Sequence, residues 1–488
     1  MKVALIVPGS RAGVNSPRYR ELFPHLLPMS IAYLGAVLEQ DGVEVLGIDQ
    51  IPRMMSNQEL VNLLKAEKVD VAGFSLLTNT VSNVVEIVEI LKKDAPEIKV
   101  LMGNQHATIY ADDILKEGQA DLIVRGEGEI TLRDTIRALG NGGDLSGVEG
   151  LSYREEDGTV VHNAARSIIQ DLDSLPHPAW HLFDIFDQKY MNLPLIGVYS
   201  TPLPIAASRG CPFNCVFCSQ DQSFKKVRIR DTVKVVDEVE ELVDKYGFEW
   251  FGFNDAYFPW TKEMGFQFAD ELIRRGLHKR VRWITESRVD MVDAELMAKL
   301  RESGLEVIFF GFESGNQQVL DRIGKKTTLA QAEIAAKAAR DAGVTTMGFF
   351  MIGLPGDTKE SCWDTVNFAI KLDCDFAKFA ITIPYPGSKL FEETKDSIDS
   401  SQFEKFTSWY NWASGDDDLL SAPEGMTVKE LLSIQRSGMF KFYARPSQVY
   451  RHLRRGTIPM RQMAYGAYIL AEGMTKNVVG GIKGFLGR

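Results

Sequence analysis

PIAASRGCPFNCVFCSQ, residues 204–220, starts as a short apolar strand and runs into a loop holding Cys211, Cys215 and Cys218. Only Cys362 and Cys374 occur elsewhere in the 488 residues. Thiolates spaced C-x3-C-x2-C are soft ligands, suited to zinc, copper or an iron–sulfur cluster. A structural zinc site takes four protein ligands. No histidine lies in this loop, and the nearest in sequence, His177 and His181, fall in a proline-rich connector. A 4Fe–4S cluster held by three cysteines leaves one iron open, and an open position is what a catalytic metal site needs. Two plainer readings stand beside it: a zinc ion completed by a distant ligand, and buried free thiols.

Working outward, the strand is the first of a series. Strands are predicted at 204–208, 250–255, 282–287, 306–314, 345–353 and 376–384, separated by helical patterns such as VKVVDEVEELVDKY and LAQAEIAAKAARDAG. Six β/α units predict a partial (β/α)6 TIM-like barrel. Polar or glycine-rich residues close nearly every strand, at the end where barrels carry their chemistry. A second open sheet is the alternative.

Before the barrel, apolar strands at 2–8, 43–49, 69–77, 99–103 and 120–126 alternate with helical patterns at 30–40, 81–93 and 129–140. Near-continuous apolar strands separated by helices predict a parallel sheet covered on both faces. The result is a doubly wound, Rossmann-like α/β domain, which binds ligands beyond the carboxyl ends of its strands. Between the two series, NGGDLSGVEG and the prolines at 176 and 178 mark a connector, with a small hairpin at LSYREEDGTVVHN. After residue 400 the pattern becomes aromatic, then acidic, then mainly helical. The expected divisions are 1–145, 146–200, 201–400 and 401–488.

Composition narrows the function classes. No apolar run approaches the ~18 residues of a transmembrane helix, and MKVALIVPG is too short and too soon broken for a signal peptide. Five cysteines, three of them clustered, do not suit a secreted disulfide framework, so a cytoplasmic setting is expected. Net charge is −11 overall, yet +8 from Phe440 to Arg488 and −19 before it. An acidic body argues against nucleic acid as a partner. The basic, partly apolar tail MRQMAYGAYILAEGMTKNVVGGIKGFLG admits peripheral contact with anionic lipid. It also reads as a terminal helix packed on the barrel.

CPFNCVFC is similar to the signature of the radical S-adenosylmethionine (radical SAM) superfamily. The resemblance implies a reduced 4Fe–4S cluster on Cys211, Cys215 and Cys218 whose open iron binds SAM, and a 5′-deoxyadenosyl radical released by cleaving SAM. It implies a small electron donor such as flavodoxin or ferredoxin. It places Phe217 near the adenine, Asn254 and Asp255 near the SAM amino end, and Ser287 and Arg288 near the ribose or methionine carboxylate. Glu313 and Ser314 of GFESG fall near the SAM polar groups, and Gly353 of FFMIGLPGDT beside the adenine. Asn254 departs from the two acidic residues common at its position.

A doubly wound domain before such a barrel resembles the cobalamin-dependent class of that superfamily. Its cobalamin loops correspond to FSLLTNT (74–80), MGNQHAT (102–108) and IVRGEGE (123–129), hence Ser75, Thr78, Gly103, His106, Gly126, Glu127 and Gly128. The first strand is followed by PGSRAGVNSPR, without the Asp-x-His-x-x-Gly motif that supplies a lower histidine to cobalt, so none is expected. A domain that binds nothing and only covers the barrel mouth is the plainer reading.

The resemblance implies methyl transfer to an unactivated carbon of a small-molecule or lipid-like substrate. The alternative is radical cyclisation or oxidation without methyl transfer, as in the anaerobic cyclase of chlorophyll biosynthesis. A zinc-stabilised binding protein is the non-catalytic reading. Tyr385, Trp409, Tyr410 and Trp412 are candidates for the substrate side. Cys362 and Cys374 read as buried thiols, with a hydrogen-atom donor role left open.

Overall fold

The structure, a computed structural model of the chain, describes residues 1–11, 26–185, 190, 202–219, 225–398, 400–406 and 422–455. The basic tail from residue 456, and Trp409, Tyr410 and Trp412, lie outside the described residues.

In the first domain β1 (Lys2–Val7), β2 (Glu44–Asp49), β3 (Val71–Ser75), β4 (Lys99–Gly103) and β5 (Leu122–Val124) form a parallel sheet in the order β2-β1-β3-β4-β5. Strand order reverses at β1, which pairs with both β2 and β3; this is the topological switch of a doubly wound sheet. The apolar runs are explained by burial on both faces: Val3, Ala4, Leu5 and Ile6 are all at or below 2% exposure. The hairpin expected near 151–163 is present as β6 (Leu151–Arg154) and β7 (Val160–His162). It pairs antiparallel with β5 and extends the same sheet to seven strands.

The second sheet joins β8 (Leu203–Ile205), β11 (Trp250–Phe253), β12 (Arg282–Ser287), β13 (Leu305–Glu313), β14 (Thr345–Ile352) and β15 (Phe376–Ile381). All its pairings are parallel, and each strand sits beside the next in chain order. Order without reversal is singly wound, as in a barrel and unlike a doubly wound sheet. A two-stranded ribbon of β9 (Ser208–Arg209) and β10 (Arg228–Ile229) closes the base of the cysteine loop.

Local sequence sets the helix starts. Asp231, Thr328 and Thr358 cap the helices that follow β10, β13 and β14 with side-chain oxygens on backbone N–H groups, the latter two as capping boxes. The helix Val428–Tyr443 covers β15, the last strand of the open barrel. Tyr443 Oη donates to Ala377 O at 2.8 Å, and Gln435 Nε2 donates to Phe379 O at 2.7 Å. A sheet edge is thereby protected without a further strand. No described helix is long and apolar enough to cross a membrane.

Candidate active site

The cysteine loop is held by backbone bonds. Val216 N donates to Ile323 O at 3.0 Å, Leu390 N to Val216 O at 2.9 Å, and Cys218 N to Cys215 O at 3.0 Å. Gly210 enters it at φ +108°, a conformation that favours glycine. Cys211 and Cys215 are half-buried and Cys218 is exposed. The Cys215 thiol donates to Gly324 O at 4.0 Å, and burial pushes it up, opposed by Lys325. Among the described residues no three His, Cys, Asp or Glu side chains converge on a single metal position. A polynuclear cluster takes one thiolate on each of several irons. The donor set, three thiols on one loop at the barrel mouth, fits the cluster.

Phe217 packs against Val319, Leu320, Ile323 and Leu354, and it also lines a cavity of about 260 Å³ with Glu313, Phe349, Lys378 and Tyr385. Glu313, at φ +63°, is buried and pairs with Lys325 Nζ at 2.7 Å. Ser287 is buried, and its Oγ has no hydrogen-bond partner among the described residues. Phe217 and Glu313 thus share the wall of this cavity, and Ser287 ends β12.

Among the other candidates, Asp255, Arg288 and Ser314 have polar partners within the protein. Asp255 accepts hydrogen bonds from Ala207 N at 3.0 Å and from Ser208 Oγ, whose oxygen also takes the Trp260 indole N–H. Burial pushes Asp255 up to about 7 against those donors. Asn254 is exposed, its N–H bonded to Ile205 O at 2.8 Å. Arg288 grips Asp290 with two 3.0 Å bonds, donates to Lys325 O at 3.1 Å, and stands 3.6 Å over the Phe213 ring. Ser314 Oγ lies 3.3 Å from Thr365 Oγ1. At Gly353, φ +82°, an added Cβ would meet Leu431 of the C-terminal helix at 3.1 Å. These residues shape the loop and the barrel rim.

In the first domain, Ser75, Gly103 and Gly126 end β3, β4 and follow β5. Asn104 Nδ2 donates to Ser75 Oγ at 2.9 Å, and Gly126 N to Thr108 Oγ1 at 3.3 Å. Nothing lies within 4 Å of where a Cβ would stand on Gly126, at φ +73°. A Cβ added at Gly128 would meet Leu34 at 3.1 Å. This open, side-chain-poor strip above the strands fits a large planar cofactor approached by backbone. His106 is buried beside it. Its Nδ1 lies 3.1 Å from Thr78 Oγ1, its ring packs on Tyr110 and Phe403, and burial pushes it down to about 4.

Glu127 turns toward the barrel. It pairs with Arg228 at 2.7 Å and Arg209 at 3.2 Å and accepts from Ile169 N at 2.7 Å, while Glu129 pairs with Arg209 at 2.7 Å. Sequence reasoning missed this junction, because its members are spread from 127 to 228. It also missed Lys325 and Lys378; a lysine within the apolar strand FAKFAI was the available signal for the second. Across the same junction, Gln105 Nε2 donates to Ser219 O beside Cys218 and reaches Pro386 O at 3.4 Å. Cys362 and Cys374 are buried and pushed up to about 12, far from thiolate reactivity.

Residues 205–369 match the Radical SAM superfamily model and residues 22–136 the B12 binding domain model. The chain is 29% identical to an uncharacterized methyltransferase of Pyrococcus horikoshii, over 93% of this chain and 95% of that one. It is 31% identical to the anaerobic magnesium-protoporphyrin IX monomethyl ester cyclase of Rubrivivax gelatinosus, over 91% and 77%. Its fold is similar to that of TsrM from Kitasatospora setae, a radical S-adenosylmethionine methyltransferase solved with cobalamin and a [4Fe–4S] cluster. There the TM-score is 0.66 at 20% identity, covering 81% of this chain and 74% of that one. The chain belongs to the cobalamin-dependent radical SAM enzymes, which work with a 4Fe–4S cluster, SAM and cobalamin.

Proposed function

We propose that this enzyme transfers a methyl group to an unactivated carbon of a small-molecule substrate held in the barrel mouth. One observation carries the reading: Gln105, on the cobalamin-side loop, touches both Ser219 of the cysteine loop and Pro386 of the loop after β15. The loop after β4 is therefore in direct contact with the cysteine loop and with the loop after β15. When bound, the cofactors supply a radical that removes hydrogen from carbon and a methyl group to replace it.

The chain's own residues bind and orient. Cys211, Cys215 and Cys218 hold the cluster. Phe217 faces the SAM base, Ser287 offers its unused hydroxyl, and Glu313, fixed by Lys325, presents a carboxylate to the amino end. Ser75, Gly103 and Gly126 let backbone approach cobalamin, with Thr78 and His106 shaping the loop behind them and no histidine offered to cobalt. A cavity of about 260 Å³, lined mainly by apolar side chains with Glu313 and Lys378 among them, lies just below the usual size of small-molecule sites. An external one-electron donor of the flavodoxin or ferredoxin kind completes the set.

Identity to the cyclase favours a second reading, radical oxidation or ring closure without methyl transfer. Anaerobic reconstitution with iron, sulfide and cobalamin, followed by turnover with SAM deuterated in its methyl group, separates the two. Four irons and one cobalt per chain with a deuterated methyl in the product support methyl transfer. Product without deuterium supports the cyclase-like reaction. No 5′-deoxyadenosine in any condition defeats both.

A further inference from the structure

The barrel lumen holds a charged side chain that the cofactor-facing groups leave unused. On β12, Thr285 and Ser287 are buried and Glu286 between them is exposed, the alternation of a strand with two different faces. Glu286 is in register with Phe309 of β13. The Phe309 ring stacks on Phe349 of β14 at 5.7 Å, and Lys378 Nζ of β15 lies 6.0 Å from the Phe349 centroid. Phe349 and Lys378 line the 260 Å³ cavity, so Glu286 stands on the same face of the sheet, beside that cavity.

Charged groups facing it come from three elements: Glu313 on β13, Lys325 on the loop beyond, and Lys378 on β15. Burial first, then Glu313, push the Glu286 carboxyl up, opposed by Lys325 and Lys378. Lys378 is pushed down by burial, against the pull of Glu286. Yet among the described residues the Glu286 carboxylate accepts no hydrogen bond and joins no ion pair. A carboxylate beside a cavity that the protein itself leaves without a donor is open to a ligand, and such groups concentrate where ligands bind.

We propose that Glu286 is the specificity residue for the substrate, accepting a hydrogen bond from its hydroxyl, amine or ring N–H while its apolar body lies against Phe309 and Phe349; this rests on the function proposed above. The substrate class is then an apolar small molecule with a hydrogen-bond donor. A plain hydrocarbon would leave the carboxylate unpaired, and a site built to bond a donor discriminates strongly against analogues lacking it.

The test titrates the reconstituted holoenzyme with 2-naphthol and with 2-fluoronaphthalene, molecules of closely similar shape of which only the first donates. Wild type is expected to favour 2-naphthol by at least about tenfold, the scale of a hydrogen bond to a charged group. Glu286→Leu should bring the ratio near one while still binding 2-fluoronaphthalene, and Glu286→Gln should keep part of the preference. The preference should fade as pH falls through the raised titration of the carboxyl, in wild type only. A ratio near one in wild type, an unchanged ratio in Glu286→Leu, or no binding of either probe overturns the assignment. Formation of 5′-deoxyadenosine from SAM, followed in parallel, reports on the proposed function separately. Its absence from wild type defeats that function and leaves the naphthol ratio to judge Glu286.

Discussion

Glu127 Oε2 and Arg228 Nη1 stand 2.7 Å apart, their side chains 6% and 3% exposed, at the seam between the two sheets. Arg209, the residue two before Cys211, shares the same carboxylate. The cysteine loop and the first domain are therefore tied by a buried charge cluster in which Glu127 serves both arginines. Removing one partner of such a cluster leaves uncompensated charge, at ~3–5 kcal/mol. Glu127→Ala should lower stability to urea by that order and loosen the seam. Hydrogen exchange of the 208–210 backbone should rise, whereas Glu129→Ala should do less, since it leaves Arg228 paired. Equal effects of the two variants would contradict the arrangement.

Asp255 holds the strand that leads into the cysteine loop, and its loss is expected to act on the cluster through that loop. Its carboxyl holds Ala207 N and Ser208 Oγ, four and three residues before Cys211. Asp255→Ala should lower iron retained after desalting severalfold, with the Trp260 fluorescence shifted because its indole loses an ordered Ser208. SAM affinity of the fraction that keeps iron should be nearly unchanged. A variant with full iron and weakened SAM binding would instead give Asp255 the SAM contact implied by its place after β11.

The strands were legible because each is a short apolar run between turn residues, and the β6–β7 hairpin because Asp157-Gly158 sits between two alternating stretches. The thiols were legible because residue type and spacing already encode their chemistry. Glu127 was not. It lies in a glycine-bracketed loop after a strand, the setting of a cofactor contact, and its partners Arg209 and Arg228 are 82 and 101 residues away. Glu286 was hidden differently: in RWITES a strand-end polar run does not say which side chain turns inward. Gly353 likewise reads as a close-approach glycine, and what approaches it is Leu431 of the C-terminal helix.

The five thiols should divide cleanly. Cys211→Ala, Cys215→Ala and Cys218→Ala should each abolish or strongly reduce iron and the visible absorbance of the reconstituted protein. Cys362→Ala and Cys374→Ala should leave iron unchanged, because both sit in the core and both are pushed up to about 12. Their alkylation by iodoacetamide should proceed only after unfolding. Rapid modification of either in the folded protein would show that the core opens around it.

His106 gives the first domain a pH dependence with a defined sign. The folded imidazole is held down to about 4 by burial, whereas the unfolded chain has its ordinary value of ~6.5. Above ~6.5 both states are neutral there and burial carries no protonation penalty. As pH falls from ~6.5 toward 4 the unfolded state takes up a proton that the folded state resists, so stability declines through that window. The gap corresponds to a loss on the order of 3 kcal/mol at its foot. His106→Phe, which keeps a ring against Tyr110 and Phe403, removes the titration. Denaturant midpoints measured between pH 7 and pH 5 should fall less in the variant than in wild type. Identical slopes would mean that the imidazole is protonated in the fold, with Thr78 accepting from it.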